Sequence, residues 1–72
     1  MGMVILEAAG PRGEELAMAV GEVRGFPVGW DSEFESATFD VDGIDDGELL
    51  ELISEELDRR DPEWRSQLRL VE

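Results

Sequence analysis

Phe26-Pro27-Val28-Gly29-Trp30-Asp31-Ser32-Glu33-Phe34-Glu35-Ser36-Ala37-Thr38-Phe39-Asp40-Val41 is the stretch that decides the fold. In its first half Phe26, Val28 and Trp30 alternate with Pro27 and Gly29, the period of a short strand, and Asp31-Ser32-Glu33 supplies a turn. From Phe34 to Val41, Ala37, Phe39 and Val41 fall on one side and Ser36, Thr38 and Asp40 on the other. That is the alternation of a strand with one dry and one wet face. Pro27 has no backbone N–H to give to a ladder, which predicts an edge position for the first of the two strands.

Upstream, Met3-Val4-Ile5-Leu6 is an unbroken apolar run that suits a central strand. Ala8 to Gly13 breaks it, and Glu14-Glu15 places carboxylates in the first turn of a helix running from about Pro11 or Gly13 to Arg24. Leu16, Ala19, Val20 and Val23 form its expected apolar stripe, with Glu15, Met18 and Glu22 facing away and Gly25 placed for a left-handed stop. Downstream, Asp45 caps a second helix with Glu48 three residues on. Leu49, Leu50, Ile53 and Leu57 form the stripe of that helix, and Glu48, Glu51, Glu55 and Asp58 gather opposite. Glu55 with Arg59 and Glu56 with Arg60 have the spacing of i to i+4 ion pairs. Asp61-Pro62 stops the helix, Trp64 is expected to fold back over its end as a core residue, and Leu68 with Leu70 alternates against Gln67 and Arg69 as a last strand.

The resulting order, β-α-β-β-α-β across residues 1–72, resembles the ferredoxin-like plait. The fold class expected is therefore α+β: one domain with a four-stranded antiparallel sheet in spatial order 4-1-3-2 and two helices on one face. This topology hosts many unrelated functions and by itself implies none. Residues 48–71, above all Asp61-Pro62-Glu63-Trp64-Arg65 followed by Leu68-Arg69-Leu70-Val71, also resemble the helix-to-strand end of small effector-associated domains of bacterial conflict systems. That likeness covers a third of the chain, and the first 40 residues have no counterpart in it.

Charge is the strongest compositional signal. Nineteen Asp and Glu face six basic residues, for a net charge of −13, and every basic residue is arginine. Such a surface suits a salt-loaded cytoplasm, where screening weakens self-repulsion, so a halophilic source and a cytoplasmic location are expected. Six arginines, two of them assigned to helix pairs, form no continuous basic track, so nucleic-acid binding is not expected. With 42% hydrophobic residues the chain is expected to fold, although a core of this size supplies only ~3–5 kcal/mol net and there is no cysteine to staple it. No apolar run reaches the ~20 residues that span a bilayer, and Met1 to Gly10 lacks the basic start of a signal peptide. A membrane partner is not expected.

Three local clusters invite chemistry, and each has a plainer structural reading. Asp40-Val41-Asp42-Gly43-Ile44-Asp45-Asp46-Gly47 resembles a calcium loop in composition, but Ile44 occupies a ligand position in either register, so an acidic loop feeding a capped helix explains it better. Gly10-Pro11-Arg12-Gly13 opens a helix after a strand, yet lacks both phosphate-loop patterns and is followed by Glu14 and Glu15, which repel anions. Ser32, Ser36, Thr38, Ser54 and Ser66 have neither histidine nor lysine to activate them, and paired carboxylates need a cleft that two layers scarcely provide. No catalytic residue, metal or cofactor is therefore expected.

The remaining signal is the first strand. Met3 and Ile5 must point one way and Val4 and Leu6 the other, so with helices on one face only, one apolar pair lies on the open face beside Ser36, Thr38, Gln67 or Arg69. Met3, Val4, Ile5, Leu6, Thr38 and Arg69 are accordingly the candidate partner-binding residues. The function expected is that of a small acidic interaction or regulatory module, self-associating or binding a protein through its sheet. The alternative is an acidic mimic of nucleic acid that inhibits a nucleic-acid-binding protein.

Overall fold

Strand β1 (Gly2–Ala8) is central because its apolar run finds a neighbour on each side. The computed structural model, which describes residues 1–71, pairs it antiparallel with β3 (Ser36–Val41) on one side and β4 (Leu68–Leu70) on the other. β2 (Val28–Asp31) pairs antiparallel with β3 and completes the order β2-β3-β1-β4. With α1 (Gly13–Arg24) and α2 (Asp46–Arg60) in the crossovers, the chain is a ferredoxin-like α+β plait. β2 is an edge strand, and Pro27 sits just before it with its carbonyl accepting the Asp40 N–H at 3.2 Å.

Both helices cover the dry face. Val4, Leu6, Ala37, Phe39 and Leu68 from the sheet meet Leu16, Ala17 and Val20 of α1 and Leu49, Ile53 and Leu57 of α2. Trp64 closes the end of this core, its indole N–H donating to Asp58 Oδ1 at 2.7 Å and the Arg65 guanidinium lying 4.3 Å from its ring centre. It stands in a short 3-10 turn, Trp64–Ser66, that carries the chain from α2 into β4.

The helix boundaries follow local chemistry. Gly25 ends α1 with φ of 71°, a conformation that an added Cβ would disfavour. Asp45 caps α2 by accepting the Glu48 N–H at 2.8 Å. The Gly10–Gly13 turn has a packing cause as well: the Arg12 N–H donates to Gln67 Oε1 at 2.9 Å, and a Cβ on Gly10 would come within 2.4 Å of that oxygen.

Three expectations are corrected. The buried stripe of α1 is Gly13, Leu16, Ala17, Val20 and Gly21, while Val23 is exposed. Small residues at i and i+4 spacing form a flat strip that lets the helix approach β2 closely; a Cβ on Gly21 would stand 2.3 Å from Val28 Cγ1. The hairpin turns later than the alternation suggests. Asp31 Oδ1 accepts the N–H groups of Glu33 and Phe34, so the tip runs from Ser32 to Glu35, β3 starts at Ser36, and Phe34 is exposed. Finally, Arg59 does not pair with Glu55. It turns instead to Glu56, which is buried on α2 and also meets Arg24 and Arg60.

Candidate interaction surface

The face of the sheet away from the helices is laid out in rows by the strand register. Gly29, Thr38 and Ile5 stand side by side across β2, β3 and β1. The Val71 N–H donates to the Ile5 carbonyl at 3.0 Å, which continues the β4 register and places Val71 across from Ile5 at the end of this row. The next row is Asp31, Ser36, Glu7 and Arg69, closed by an ion pair between Arg69 and Glu7. On the other flank Met3 lies across from Asp40. An uncharged middle row is thus framed by charge. At its β2 end the row is open, since a Cβ on Gly29 would meet nothing within 4 Å.

Of the six residues singled out from the sequence, Met3, Ile5, Thr38 and Arg69 share this open face. Val4 and Leu6 do not. They lie under the helices with 5% and 1% of their surface exposed, so they belong to the core and leave the candidate surface. Two residues that sequence reasoning missed take part: Val71, exposed at the end of the middle row, and Glu7, which holds Arg69. Extending the Leu68/Leu70 alternation by one step would have found Val71.

The two edges of the sheet differ. β2 is guarded by Pro27 and Asp31, devices that discourage strand pairing. At β4, the Gln67 carbonyl accepts from the Ala9 N–H and the Val71 N–H donates to the Ile5 carbonyl, so by alternation the N–H groups of Leu68 and Leu70 point outward. Beside this edge two hollows of ≈ 480 and ≈ 490 Å³ lie on either side of Leu70, both lined in part by Leu50 of α2.

The other candidates resolve into structural roles. Asp46 accepts the Met3 N–H at 2.8 Å and Asp45 caps α2, so the acidic loop spends its inner carboxylates on the backbone. Among the described residues no cluster of acidic side chains is gathered in a way that could hold a metal ion. No helix there is long and apolar enough to cross a membrane. No family model, curated protein or solved structure matches the chain.

Proposed function

We propose that this domain is a non-enzymatic interaction module that associates with a second copy of itself through the open face of its sheet. The observation that supports the reading is the uncharged row Gly29, Thr38, Ile5 and Val71 at the centre of a face that no helix covers. Val71 is exposed and Ile5 half-buried, so covering them recovers part of the ~1.5–3 kcal/mol that full burial of each supplies, and a two-fold axis lets one patch serve both partners. An axis lying between stacked sheets and parallel to the strands sets each row over its own reversal. Ile5 then meets Thr38 of the other copy, and Arg69 comes over Asp31, so the charged row complements itself. The reading as an acidic nucleic-acid mimic has less support, because the middle of this face carries no carboxylate.

Ile5→Glu tests the proposal. Each dimer contains two such positions, so the substitution is expected to raise the dissociation constant by about 100-fold or more while the circular dichroism spectrum stays that of the wild type. A variant that associates as tightly as the wild type would remove the open face from consideration.

A further inference from the structure

All six arginines are engaged in ion pairs, in four separate groups. Arg12 lies between Glu15 and Asp61, Arg65 pairs with Asp58, and Arg69 pairs with Glu7, so these three groups are neutral or negative. In the fourth, Arg24, Arg59 and Arg60 converge on the single carboxylate of Glu56 at 3.2, 3.6 and 3.7 Å. Three positive charges against one negative leave an excess of two. Within a chain of net charge −13, this is the one ion-pair group among the described residues where cations outnumber carboxylates. Of the other acidic residues near in sequence, Asp58 pairs with Arg65 and Asp61 with Arg12, and Glu22, Glu55 and Glu63 form no ion pair with any of the three guanidinium groups.

The helix dipole accounts for arginine in the last turns of α1 and α2. It does not account for three of them sharing one acceptor. Only Arg24 donates a true hydrogen bond to Glu56, through Nε, and among the described residues Arg59 and Arg60 donate none. Each guanidinium carries five donors, so most of this array faces outward unused. The buried carboxylate, with 5% of its side chain exposed, holds the three forks together at one spot on the helical side of the molecule.

We propose that the Arg24, Arg59 and Arg60 cluster binds a phosphate monoester or free phosphate. A dianion near neutral pH matches the two excess charges, and its oxygens match the forked geometry of guanidinium donors. The site lies on the face opposite the open sheet, so it does not depend on self-association.

The test follows the six arginine Nε–H resonances of the nitrogen-15-labelled protein while inorganic phosphate replaces chloride at constant ionic strength. The signals of Arg24, Arg59 and Arg60 are expected to shift together and saturate at millimolar phosphate, and those of Arg12, Arg65 and Arg69 to stay in place. Arg59→Gln, at an exposed position that does not support the core, is expected to weaken binding about tenfold, and Arg65→Gln to leave it unchanged. A phosphoserine peptide and a sugar phosphate in parallel titrations show whether a modified partner or a small metabolite fits better. Six resonances moving alike, three that stay still up to ~50 mM phosphate, or wild-type binding by Arg59→Gln would each overturn the proposal.

Discussion

Glu56→Ala is expected to lose about 3 kcal/mol of folding stability, and so to leave the domain only marginally stable. Removing one partner of a buried ion pair costs ~3–5 kcal/mol, because the remaining charge stays in a poorly hydrated place. Here Arg59 and Arg60 reach solvent and can turn away, which holds the cost at the lower end; Arg24, more enclosed, cannot turn as freely. The loss is large against the ~3–5 kcal/mol that a core of this size supplies. Urea denaturation of Glu56→Ala beside Glu56→Gln measures it, with the amide, which keeps the shape and one acceptor, falling between the alanine and the wild type. Equal urea midpoints for all three proteins would show that the cluster does not hold the helices.

Raising KCl from dilute buffer to 1 M is expected to lift Tm by about 10–20 °C. The net charge of −13 is spread over a body whose radius of gyration is 10.8 Å. Its charges repel one another within the ~10 Å Debye length of 0.1 M salt and much less within the ~3 Å of 1 M. In a domain of this size each kcal/mol recovered is worth ~4–8 °C. Of the Glu56 contacts, the one with the more enclosed Arg24 is the least screened, so the gain from relieved repulsion outweighs the loss of attraction. A Tm that is flat or falls across the same range would exclude a surface adapted to salt.

The parts of this fold that were legible in the sequence are those decided within a few residues. Asp45 before Glu48, Gly25 after Arg24 and the Ala37, Phe39, Val41 alternation each state their own geometry, and together they order the elements. What was not legible depends on residues far apart. An unbroken run such as Met3-Val4-Ile5-Leu6 has the same alternation whichever side faces the helices, so choosing Met3 and Ile5 for the open face required Phe39 and the helices to be in place. The rotation of α1 onto Gly13, Ala17 and Gly21 depends on Val28. Hydropathy favours Val23, but close approach to the sheet favours the residues with least side chain. Glu56 looks like a solvent-facing member of an i to i+4 pair until Arg24, 32 positions away, covers it. One error was local: Asp31 followed by Ser32 and Glu33 is a side-chain-capped turn, and weighing that against the aromatic Phe34 would have started β3 later.

The claim that the open sheet face is an association surface meets its most direct test in sedimentation velocity of the wild-type protein at high concentration, in dilute buffer and in 1 M KCl. An apolar row framed by charge should associate more tightly as repulsion is screened, so the population at twice the 8.0 kDa chain mass is expected to grow with salt. A strict monomer in 1 M KCl would contradict the account.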